Sequence, residues 1–108
     1  MSSFTIGEMQ EMQHLLQEKY KDRWEHICPA IGSRKLLWMI GEASEVGDIM
    51  KKCGEDEIMN DPETRAHFIE EMADVLMYFN EVMMCFDINE DDLKAAYTKK
   101  FERNMKRW

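Results

Sequence analysis

Asp61-Pro62-Glu63, followed by apolar residues at Phe68, Met72, Val75, Phe79, Val82 and Phe86, constrains this chain more than any other feature. An acidic cap, a proline at the first helical position and an acid in the first turn together start a helix. The heptad-like spacing that follows keeps one apolar stripe on one side of that helix for about five turns. A chain of 108 residues has room for one domain built around such an element.

Three more helical segments fit around it. Thr5 and Glu8 have the spacing of a capping box, and Met9, Met12, Leu15 or Leu16 and Tyr20 trace a helical stripe to about Trp24. Pro29 and Gly32 mark a loop, and Ser33 is a suitable N-cap for a second helix. That helix carries Leu36, Leu37, Ile40, Ala43, Gly47 and Met50 on one face and ends with Lys51, Lys52 and Gly54. Glu55 to Asn60 reads as a polar linker. Asn89 caps a fourth helix, apolar at Leu93, Ala96, Tyr97, Phe101 and Met105 and basic on its other side. No run alternates with period two between turn signals, so no strand is expected. The predicted fold is all-α: a four-helix-bundle-like subunit, residues 1–108, completed by oligomerisation because one small core is hard to stabilise alone.

The net charge of −8 excludes a general nucleic-acid binder. No apolar run spans a bilayer and no basic-then-apolar leader opens the chain, so no membrane role is expected. Cys28, Cys53 and Cys85 form no C-x-x-C, which fits reduced thiols and a cytoplasmic location. The charge is concentrated: residues 42–74 hold eleven acids against three bases, a balance equal to that of the whole chain.

Four of those acids stand in unusual surroundings. Acid pairs at i,i+3 are common by chance. Glu8/Glu11 and Asp22/Glu25 lie among polar neighbours, as solvated faces do. Glu42 and Glu45, by contrast, interrupt Leu36 to Gly47, and Glu71 and Asp74 interrupt Phe68 to Phe79, a run apolar nearly all round the helix. Such a run is expected to be buried on most faces. Buried carboxylates need a partner or a cation, and each i,i+3 pair shares one helix face. Oxygen-only ligands point to Mg²⁺ or Mn²⁺ rather than zinc. His14, His26 and His67 show no Glu-x-x-His spacing of the di-iron kind. The competing reading is an ion network between these acids and the Lys and Arg side chains of the fourth helix. If the metal serves phosphates, that same helix offers Lys100, Arg103, Asn104 and Arg107 as donors. No glycine-rich phosphate loop is present.

Glu42-x-x-Glu45, 25 intervening residues and then Glu71-x-x-Asp74 resemble the E-x-x-E…E-x-x-D signature of MazG-like, all-α NTP pyrophosphohydrolases. The surrounding wording, Ile40 to Asp48 and Glu70 to Tyr78, is similar too. Lys100 to Arg107 resembles the family's closing K-x-x-x-N-x-x-R, so the likeness covers about residues 10–108. It implies Mg²⁺-dependent cleavage of a nucleoside triphosphate, a dNTP foremost, to the monophosphate and pyrophosphate, by homodimers or homotetramers. Carried over by position, Glu42, Glu45, Glu71 and Asp74 bind metal. Tyr78, Lys100 and Asn104 contact phosphate or sugar, with Arg103 as a further charge on the leaving group. Trp24 resembles the tryptophan that dCTPase-like members place against the base. His14 lies one residue away from a first-helix histidine of those members. Lys52 stands where they have a second tryptophan, so base selectivity does not transfer. Trp38 reads as helix packing. Glu45 is the expected general base, with Glu42 beside it in the catalytic pair. Two other readings remain beside this one: a non-catalytic helical oligomerisation or binding module, and a related pyrophosphohydrolase acting on phosphoribosyl-ATP.

Overall fold

A computed structural model describes residues 3–108. Four helices follow one another: α1 (Ile6–Lys19), α2 (Gly32–Asn60), α3 (Pro62–Cys85) and α4 (Glu90–Arg107), with one 3₁₀ turn at Pro29–Ile31 before α2. No strand occurs among the described residues. Among the described residues no helix is long and apolar enough to cross a membrane.

The local start signals are realised. The Thr5 hydroxyl accepts the Glu8 N–H at 3.1 Å. Asp61 accepts the Thr64 N–H at 2.9 Å, with Pro62 at the first helical position. Asn89 and Asp92 form a reciprocal capping box at 3.0 and 3.1 Å. Asp87, at φ 55°, ends α3 in left-handed conformation. Around it the Asp87 N–H reaches the Met84 carbonyl at 3.2 Å and the Ile88 N–H reaches that of Met83 at 2.9 Å, a Schellman closure.

Three boundaries differ from the sequence reading. α1 ends at Lys19 instead of near Trp24, because the chain turns at Tyr20, whose carbonyl takes the N–H groups of Arg23 and Trp24. Ser33 does not cap α2: Gly32 is already helical (φ −56°, ψ −41°) and runs on from the 3₁₀ turn, so the cap position falls at Ile31, which makes no side-chain capping bond. Gly32 also lies under Phe86, where an added Cβ would sit 2.5 Å from the ring. Glu55 to Asn60 is helix, not linker. Gly54 (φ 79°, ψ 166°) breaks α2 as expected, but the chain resumes helical form at once and buries Ile58.

α2 and α3 form an antiparallel hairpin, and α1 lies across α3. The apolar core is Ile31, Val46, Ile49, Ile58, Met83, Met84 and Cys85, joined by buried Gln10, Gln13, Asn80 and Glu81. Much of the expected apolar surface is not covered within one chain. Leu37, Ile40 and Met50 on α2 and Ile69 and Met72 on α3 are about half exposed. α4 buries no residue, and Tyr97, Phe101 and Met105 are open along it. Its N-terminus is tied to α1 by the Gly7 N–H, which donates to Glu90 Oε1 at 3.1 Å.

Candidate active site

The hairpin register builds the site. Stepping forward along α2 and back along α3, Lys35 meets Glu81, Trp38 meets Tyr78, Glu42 meets Asp74 and Glu45 meets Glu71. Each step is one helical turn, so four layers of facing side chains stack along the hairpin.

The last two layers are carboxylates. Carboxylate oxygens of Glu42, Glu45 and Glu71 lie within 4.8 Å of one another. Asp74 adds its charge from one turn further along α3. Burial first, then the adjoining carboxyl of Glu45 and the charges of Asp74 and Glu71, push the Glu42 carboxyl up to about 7. Burial and Glu45 raise Glu71 as well, while His67, 4.0 Å away, acts in the opposite sense. Glu42 Oε2 and Glu71 Oε2 are buried without a hydrogen-bond partner. Unpartnered buried carboxylate oxygens are costly, and their all-oxygen chemistry fits a hard divalent cation.

The competing ion network is not formed by α4 in this chain. Among the described residues the Lys and Arg ion pairs are Lys21–Glu18, Arg34–Glu25 and Lys35–Glu81, and none involves the four clustered acids.

A groove of about 470 Å³ runs beside the cluster, lined by Asp74, Tyr78, Trp38, Trp24, Lys35 and Glu81. Trp38 and Tyr78 meet edge to face at 5.8 Å. Trp24 stacks on Tyr20 at 4.7 Å, which holds it at the groove wall. Burial and the nearby acids Glu81, Glu42 and Asp74 raise the Tyr78 hydroxyl. On the other side of the cluster a hollow of about 350 Å³ is lined by Glu45, Glu71, Asp48, Lys52, Cys53 and His67.

Trp24, Tyr78 and Asp74 are thus brought together with each other and next to Glu42. His14 is exposed and lines neither hollow. Lys100 and Arg103 are exposed on α4, and Asn104 is half-buried with Oδ1 unpartnered; none of the three lines either hollow. Lys35 and Glu81 belong to no motif in the sequence, and Trp38, expected in helix packing, lines the groove. Glu81 carried the signal that singled out Glu71: an acid inside an apolar run, here Tyr78 to Met84.

No protein-family model, curated protein or solved structure matches the chain.

Proposed function

We propose that this chain is a MazG-like pyrophosphohydrolase that cleaves a nucleoside triphosphate, a dNTP foremost, to the monophosphate and pyrophosphate with Mg²⁺, or Mn²⁺ in its place. The observation that carries this reading is the convergence of Glu42, Glu45 and Glu71 from two helices, two of them with buried unpartnered oxygens. The aromatic groove that opens at Asp74 supports it.

Glu42, Glu45, Glu71 and Asp74 would hold the cation. Bound there, Mg²⁺ supplies charge neutralisation for phosphate oxygens and makes water more acidic. Glu45, the most exposed of the clustered glutamates, takes the proton of the attacking water. The water oxygen bonds to the α-phosphorus, the bond from that phosphorus to the bridging oxygen breaks, and pyrophosphate leaves. Trp24 stacks on the base and Tyr78 orients sugar or phosphate at the groove wall. Lys100, Arg103 and Asn104 line neither hollow of a single chain, so we assign their phosphate role to α4 of a second copy, in a homodimer or homotetramer. The open apolar side of α4 supports such an assembly. Three free cysteines support a reducing, cytoplasmic setting.

The test is a panel of NTPs, dNTPs and phosphoribosyl-ATP with Mg²⁺, reading pyrophosphate against orthophosphate. Pyrophosphate with monophosphate is expected from a nucleoside triphosphate. Orthophosphate alone contradicts the cleavage site, and turnover of phosphoribosyl-ATP alone reassigns the substrate. No turnover, with a melting temperature insensitive to Mg²⁺, identifies a non-catalytic module.

A further inference from the structure

Lys35 and Glu81 form the layer furthest from the carboxylate cluster, on the inner side of the aromatic groove. Lys35 Nζ lies 3.3 Å from Glu81 Oε2, and the two side chains are 12% and 5% exposed. Glu81 Oε1 accepts the side-chain amides of Gln13 and Gln17, each at 3.3 Å. Glu81 therefore has two amide donors on one oxygen and the Lys35 charge beside the other. Lys35 has donors to spare: an ammonium has three N–H groups, and its one charged partner is Glu81. Its other neighbours are two aromatic rings, Trp38 at 5.2 Å and Tyr78 at 5.8 Å from centroid.

A buried ion pair is weak evidence for stability, because an apolar pair of equal volume serves as well or better. This one also lines the groove. Its net charge is zero, which makes it a poor phosphate site, and the other charges of the groove, Arg23 against Glu25 and Asp74, give an uncomplexed anion no net positive charge. Its walls, Trp24, Trp38 and Tyr78, suit a flat neutral ring. What the pair offers such a ring is hydrogen-bond donors.

Direction follows from the layers. Lys35 to Glu42, like Glu81 back to Asp74, spans seven residues, about 10 Å of helix. A nucleotide whose phosphates lie at the carboxylates has its base in the groove lined by Trp24, Trp38 and Tyr78, with the edge opposite the glycosidic bond entering first. That edge carries position 4 of a pyrimidine or position 6 of a purine.

We propose that the Lys35–Glu81 pair, fixed by Gln13 and Gln17, selects a base with a carbonyl oxygen at that edge (uracil, thymine or a 6-oxopurine) over one with an amino group there (cytosine or adenine). The inference deepens the nucleotide reading and rests on it for the direction in which the base enters. Lys35 donates to the carbonyl oxygen. An exocyclic amine at that position brings N–H against N–H, and the acceptor that cytosine or adenine offers instead, the adjacent ring nitrogen, is reached only by shifting the base.

The test uses uridine and cytidine, without phosphate and without metal, titrated against tryptophan fluorescence. Wild type is expected to bind uridine about tenfold or more tighter than cytidine. Lys35→Met brings the ratio near one by weakening uridine alone. Should that variant fail to fold with Glu81 left unpaired, Lys35→Met with Glu81→Gln keeps the site neutral and leaves an acceptor for Gln13 and Gln17; the same ratio is expected. Equal affinities in wild type, absence of saturable binding, or a ratio unchanged in a folded variant overturns the proposal. A retained uridine preference without triphosphate hydrolysis would instead overturn the enzymatic reading alone.

Discussion

Lys35 on α2 and Glu81 on α3 hold each other at 3.3 Å in the part of the hairpin where α1 crosses it. Glu81 joins three helices, since Gln13 and Gln17 of α1 donate to it and Lys35 of α2 pairs with it. Glu81→Ala strands the Lys35 charge and removes the acceptor of both amides. The expected loss is about 3–5 kcal/mol, read as a lower urea midpoint. Lys35→Met combined with Glu81→Gln recovers most of it. A wild-type midpoint for Glu81→Ala would show that this contact does not tie α1 to the hairpin.

The carboxylate cluster predicts a pH dependence with a definite sign. Glu42 is raised from 4.5 to about 7 in the native state, so between those values the native chain binds more protons than the unfolded one. Its contribution to stability is complete below about pH 4.5 and is lost as pH rises through about 7. The metal-free melting temperature should therefore fall across that window. Glu42→Gln, which cannot ionise, should flatten the slope, and Mg²⁺ added at about pH 8 should restore stability through binding to the native state. Calorimetry at several pH values checks this; an equal slope in Glu42→Gln contradicts it.

Glu45 is assigned the proton of the attacking water, a role that a neutral amide of the same shape cannot fill. Glu45→Gln should keep the helical circular dichroism of wild type and lose Mg²⁺-dependent pyrophosphate release by about 100-fold or more. Wild-type-like turnover in that variant would remove Glu45 from the reaction.

Gly54 has open space where a Cβ would go, so substitution there tests conformation alone. Its φ of 79° with ψ of 166° is a region open essentially only to glycine. Gly54→Ala is expected to cost about 1–3 kcal/mol in urea unfolding. An unchanged midpoint would mean that the break in α2 relaxes into continuous helix without loss.

What was legible in the residues follows a physical divide. Caps are local chemistry, and Thr5, Asp61 and Asn89 perform as their neighbours predict. The helical form of Glu55 to Asn60 was hidden because it depends on where Ile58 is buried. Ser33 lost its capping role to a turn set up at Pro29, three residues before α2 begins. The clustered acids were visible as carboxylates inside apolar runs. Lys35 was not, since in Ser33-Arg34-Lys35 it looks like an ordinary exposed base. Its meaning comes from the register that sets it opposite Glu81, and no single helix displays a register.

The open side of α4 predicts an assembly of chains. Tyr97, Phe101 and Met105 lie at helical spacing, are 73%, 56% and 70% exposed, and form a stripe on a helix that buries nothing in its own chain. Apolar stripes of this kind on a small domain are covered by association. A second copy is the occupant consistent with the phosphate role assigned to Lys100, Arg103 and Asn104. Sedimentation should give a dimer or tetramer of the 12.9 kDa chain. Tyr97→Asp and Phe101→Asp together should shift it to monomer and abolish turnover while leaving Mg²⁺ binding at Glu42, Glu45 and Glu71 in place, because those ligands lie within one hairpin. A monomeric wild type with full activity would separate α4 from the site.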